Sequence, residues 1–261
     1  MSKYTFLLLQ VRNQCDFCNL LLITRVIARM EIKLTWRYCL AFMAFVFVFG
    51  QLHEMAHMLT GYLICGASGI QLDFNLIRPI CAACESNPYT YLAGIAGPLF
   101  SYLMMWTGYF ILRSANTKRY NLGFVLILGN LAFARIFTAG MGGGDERGVL
   151  TYLFNHQSLL LIKVINFLLV FALAFPPIYM AYKKLVNKNK LLITTGFCTI
   201  PLCIMMPYEF MLLGEVLKAG FLAKRHLLGV ADLIYLHTAI MGMIVLFFRE
   251  TLFKAYTKSI T

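Results

Sequence analysis

Stretches of about twenty apolar residues recur along this chain, separated by short loops rich in lysine and arginine, and that alternation leaves few folds open. A bilayer's hydrocarbon core is about 30 Å thick, the length of about 20 helical residues at 1.5 Å each. Six such stretches are expected as helices, over about 36–64, 89–112, 120–141, 158–182, 191–213 and 229–248. Hydrophobic residues make up 60% of the 261 and charged residues 13%, about half the share of a soluble domain. The fold class read here is an all-α polytopic membrane protein. Pro176-Pro177, Pro201 and Pro207 are expected to kink the helices that hold them. Residues 65–88 differ: Ile70–Leu76 alternates apolar and polar with period two, the pattern of a short β-hairpin or re-entrant segment.

A net charge of +12 would suggest nucleic acid for a soluble protein. Here the basic residues sit between spans, so no nucleic-acid partner is expected and the charge reports orientation instead. Residues 1–38, 113–119, 183–190 and 249–261 hold sixteen lysines and arginines, whereas 65–88, 142–157 and 214–228 hold five. The positive-inside rule therefore puts both termini in the cytoplasm.

Within the first span, residues 51–57 read Gln-Leu-His-Glu-Met-Ala-His. His53 and His57, four apart, share a helix face and can reach one Zn²⁺, with Glu54 beside it as general base. Ionisable groups at membrane depth are costly and mark function. If the span enters lipid near Cys39, His53 lies fourteen residues on, roughly 21 Å deep. Arg135, fourteen residues after Asn121, reaches a matching depth, and Asp145 follows in Gly142-Gly-Gly-Asp-Glu-Arg-Gly148. Lys163, Glu209, Asp232 and His237 fall at similar levels in the later spans, so one polar pocket in the outer leaflet is expected.

A catalytic zinc takes three protein ligands and keeps a position open. Asp145 is expected as the third, its glycine neighbours giving the backbone freedom; Glu146 is the nearest competitor, then Glu209 and Asp73. Arg135 either stabilises a tetrahedral oxyanion or pairs with Asp145 or Glu209. In this scheme Glu54 takes a proton from a zinc-activated water and returns it to a leaving amine.

With these residues in place the chain resembles the site-2 protease family of intramembrane zinc metalloproteases. The resemblance rests on His53-Glu54-Met55-Ala56-His57 in a membrane helix, the strand-like segment after it, Leu92-Ala-Gly-Ile-Ala-Gly-Pro-Leu99 in the next span and Asp145 among glycines. It covers about residues 36–150. It implies zinc, a three-helix catalytic core and cleavage of transmembrane protein substrates within the lipid bilayer. The family's Asn-x-x-Pro-x-x-x-Leu-Asp-Gly run is absent: Asn130 lies fifteen residues before Asp145 with no proline between, and Glu146 follows the aspartate.

The expected organisation is a cytoplasmic segment over 1–35, the metalloprotease-like core over 36–150 and a three-helix region over 151–261. Residues 1–29 hold no cleaved signal peptide by pattern, and Met30 is an alternative start. Of eight cysteines, Cys15/Cys18 and Cys81/Cys84 are Cys-x-x-Cys pairs, the second open to a local disulfide; Cys39, Cys198 and Cys203 read as fillers within spans. Competing readings are a transporter or channel with a polar path, a zinc-dependent membrane hydrolase of a non-protein substrate, and an inactive scaffold.

Overall fold

The computed structural model describes residues 29–74, 77–78, 87–154, 157–254 and 256–258. The N-terminal segment before Arg29 and both Cys-x-x-Cys pairs lie outside them. In chain order the elements are β1 (Arg29–Glu31), α1 (Trp36–Cys65), β2 (Ile70–Gln71), β3 (Ile77–Arg78), α2 (Tyr91–Arg113), α3 (Tyr120–Leu128), α4 (Ala132–Gly140) and α5 (Asp145–Leu153). There follow α6 (Leu159–Lys184), α7 (Lys190–Met205), a π-helical segment (Met206–Leu213), α8 (Gly214–Lys218), α9 (Asp232–Phe247), α10 (Arg249–Phe253) and β4 (Tyr256–Lys258).

Five helical runs are long and apolar enough to cross a membrane: 36–65, 91–113, 117–140, 159–184 and 190–218. The sixth expected span, α9, is apolar but shorter, at 16 residues. The chain is thus an all-α polytopic membrane protein with two small two-stranded sheets. Its outer faces suit lipid: α6 alone exposes Leu160, Val164, Leu168, Phe171 and Phe175, and Phe171 and Phe175 stack along it at 4.8 Å. Water-facing surfaces rarely carry so continuous an apolar face.

Local chemistry sets the ends of α1. Thr35 caps its start, accepting from Tyr38 N–H at 3.2 Å, and Gly66 closes it in the left-handed region (φ 66°), donating to Tyr62 O at 2.7 Å. Small residues let α2 lie close to its neighbours. A Cβ on Gly108 would stand 2.5 Å from Gly123 O, so α2 and α3 approach backbone to backbone there.

Two expected helices are interrupted. The span over 120–141 breaks at Gly129-Asn130-Leu131, where Leu131 adopts φ 52° and the Asn130 side chain donates to Leu126 O at 2.6 Å. The span over 191–213 widens into the π-helical segment one residue before Pro207 and ends as α8. By contrast α6 runs unbroken through Pro176 and Pro177. The alternating segment pairs as an antiparallel hairpin, Ile70 opposite Arg78 and Gln71 opposite Ile77.

The described parts of the four basic segments gather at one end of the bundle. β1 pairs antiparallel with β4, Met30 bridges to Leu185, and the Asn187 side chain bonds both Ile32 N–H and Ile32 O. Asn121 donates to Lys254 O at 2.6 Å and Lys184 to the Tyr120 hydroxyl at 3.1 Å. Behind this end lies the main apolar core of Tyr38, Phe42, Phe45, Tyr120, Phe124 and Ile127. Cys39, Cys198 and Cys203 are free thiols in helices, and Cys65 is disulfide-bonded.

Candidate metal centre

His53 and His57, one turn apart on α1, are both buried and point the same way, as four-residue spacing requires. Their Nε2 atoms are 3.1 Å apart. Asp145, the first residue of α5, brings Oδ2 to 3.4 Å from His53 Nε2 and 3.7 Å from His57 Nε2. A four-coordinate ion with bonds of about 2.0–2.1 Å holds its donors about 3.3–3.4 Å apart. The three edges bracket that spacing, so the donor set fits a metal ion both in chemistry and in size.

Each ligand is held from behind. His57 Nδ1–H donates to Ala93 O at 2.6 Å, which leaves Nε2 with its lone pair outward. His53 Nδ1 has Ser101 Oγ at 3.1 Å and Arg135 Nη2 at 2.8 Å. A guanidinium only donates, so Ser101 is the group that can accept the Nδ1 proton when Nε2 is a ligand. Asp145 depends on the glycine loop before it, where Gly142 (φ 77°) and Gly144 (φ 96°) adopt backbone that other residues resist. Asn166, fully buried on α6, donates to Gly143 O at 3.0 Å and Arg147 bonds Gly142 O, fixing that loop. Burial would raise the Asp145 carboxyl, but the two imidazoles beside it, His53 and His57, outweigh that and hold the group well below the usual carboxylate range.

Gly97 explains why α2 belongs to the centre. A Cβ there would meet His53 Cε1 at 2.6 Å and stand closer still to His57 Nε2. Only a glycine leaves room for the two rings against that helix. At the same end of α2, Tyr91 stacks on Tyr152 of α5 at 5.7 Å, which docks the helix carrying Asp145.

The nearest competitor for third ligand goes elsewhere. Glu146 is buried and accepts from the Tyr102 hydroxyl at 2.7 Å and Arg135 Nη1 at 3.0 Å. The carboxylate that Arg135 meets is therefore Glu146, in place of the expected Asp145 or Glu209. Arg135 stands on the Nδ1 side of His53, bridging Glu146 to Ser101 and the ring. Tyr102, Ser101 and Asn166 escaped the sequence reading. Their one signal was a polar side chain in an otherwise apolar run.

Glu54, buried, makes no side-chain hydrogen bond among the described residues and faces a cavity of about 620 Å³. His53, Arg135, Asp145 and Glu146 line the same space, together with Glu209 and His237 from the C-terminal helices. Of the other groups expected at this level, Asp232 pairs with His226 at 3.2 Å, and neither Asp232 nor Lys163 lines the cavity.

No family model, no curated protein and no solved structure matches the chain.

Proposed function

We propose that this chain is an intramembrane zinc metalloprotease of the site-2 protease kind, hydrolysing peptide bonds of membrane-embedded or membrane-proximal protein segments. One observation carries the reading: two imidazole nitrogens and a carboxylate oxygen lie within 3.7 Å of one another inside a bundle of apolar helices, and His53 and Asp145 line a cavity beside Glu54, whose side chain makes no hydrogen bond among the described residues. His53, His57 and Asp145 hold the ion. A zinc ion at that position supplies Lewis acidity toward a carbonyl oxygen and acidifies water.

The remaining roles belong to the chain. Glu54, free on the cavity side, takes a proton from the attacking water and passes it to the leaving nitrogen. Arg135 acts as a positioning residue, holding His53 and Ser101 from behind while Glu146 and Tyr102 fix its own guanidinium. The cavity admits water and an unwound segment of substrate backbone. The basic end of the bundle faces the cytoplasm in this reading, with both termini there.

The test is metal analysis of purified protein beside cleavage assays on transmembrane peptides and on lipid esters. Wild-type protein is expected to hold one zinc and cleave peptide. Glu54→Gln should keep zinc and lose cleavage. Cleavage of lipid alone would replace the protease by a membrane hydrolase of another substrate, and zinc without any hydrolysis would end the enzymatic reading.

A further inference from the structure

Among the carboxylates that line the cavity, three have a role already. Glu146 is matched by Arg135, and Glu54 and Asp145 stand with the metal centre. Glu209 has none. It is buried at 5% exposure in the π-helical segment Met206–Leu213, and His237 Nδ1 lies 4.0 Å from its Oε1, too far for a hydrogen bond. His237 is 6% exposed, and its Nε2 is buried with no partner among the described residues. Both side chains line the cavity.

Charge and surroundings define what would fit. Of the lysines and arginines, Arg135 alone lines the cavity among the described residues, and it is taken by Glu146, which leaves Glu209 without a cation there. A lone buried carboxylate is costly until a cation joins it. Aromatic rings pack around His237: Phe47, Phe74 and Tyr208 lie 5.4, 5.2 and 5.6 Å from its ring, centroid to centroid. Phe49, Phe74 and Phe210 line the cavity with the pair, and aromatic walls favour an organic cation over a bare metal ion. A π-helical turn is itself a frequent mark of a functional position.

We infer that Glu209 and His237 form a second subsite of the cavity, one that receives the ammonium or guanidinium of a basic side chain on the substrate. This rests on the proposed protease reading for its setting, but the subsite is a binding feature and can be measured without catalysis. It would select a membrane segment that carries one lysine or arginine within an apolar run, the charge meeting Glu209 while the polar tip of His237 completes its hydrogen bonds.

The experiment uses full-length protein in nanodiscs of neutral lipid. Fluorescent apolar helical peptides carry a single lysine, arginine or norleucine, moved residue by residue along the sequence. At one or two adjacent positions, lysine and arginine peptides should bind wild-type protein on the order of tenfold more tightly than norleucine peptides. Glu209→Gln should bring that ratio close to unity with zinc content unchanged. A ratio near unity at every position in wild type, or a preference that persists in Glu209→Gln, overturns the subsite. Should Glu209→Gln not fold, butylammonium supplies the measurement on wild type: it should displace the lysine peptide and spare the norleucine peptide, and equal displacement overturns the subsite. Selective binding without cleavage would leave the subsite standing and remove the protease reading. Cleavage without any preference would do the reverse.

Discussion

Gly97 and His57 occupy adjoining space so closely that a single methyl group between them would overlap the imidazole's Nε2. The same methyl would press on His53 Cε1 from 2.6 Å. Gly97→Ala should therefore lower zinc affinity by on the order of 100-fold or more, beyond the usual loss for a residue behind a ligand. Gly50→Ala is the control: it lines the same cavity, yet its added Cβ meets nothing within 4 Å. Zinc titration of both variants decides it, and equal affinities would contradict the packing.

Asp145→Ala removes the one carboxylate that reaches both imidazoles, so the purified variant should lose bound zinc. Glu146→Gln should retain it, because that carboxylate is turned to Arg135 and Tyr102. The reverse pattern would reassign the third ligand.

Ser101→Ala takes away the acceptor at His53 Nδ1 and leaves only the donor Arg135 there. Zinc binding should weaken about 10- to 100-fold, the range for groups that orient a ligand. Unchanged affinity in a chelator competition would remove Ser101 from the centre.

Glu146 and Arg135 are both largely buried, so either one left alone is an uncompensated charge. Glu146→Ala should cost about 3–5 kcal/mol in detergent unfolding, and the double variant with Arg135→Ala should cost less than the two singles combined. Strict additivity in the cycle would show that the pair is not coupled.

Asn166→Leu cuts the bond to Gly143 O while filling similar volume on α6. The glycine loop then loses its anchor, and zinc affinity should fall about tenfold with the helices intact by circular dichroism. No change would mean that the loop holds Asp145 without it.

Much of this was readable from residues alone, for physical reasons. A helix forces residues four apart onto one face, so His53 and His57 had to converge once their run was recognised as a span. The cost of charge in lipid marks Glu209 and His237 as pocket residues, and both line the cavity. The hairpin followed from period-two alternation. What escaped was set by distance in the chain. Tyr102 meets Glu146 across 44 positions and Asn166 meets Gly143 across 23, and no local pattern encodes such pairings. The break at residues 129–131 also gave no warning, since no proline marks it and Leu131 is an unusual residue for φ 52°. Lys163 and Asp232 were grouped with the pocket by depth alone, a coordinate that says nothing of direction around the bundle.

The walls of the cavity are drawn from residues 49–54, from the middle of the chain between Phe74 and Glu146, and from residues 202–237. No one stretch encloses a reaction chamber by itself. A chain that has emerged only through its fourth span holds His53, His57 and Asp145 but lacks Leu202, Glu209 and His237, so the enclosure is completed last, when α9 packs onto α1.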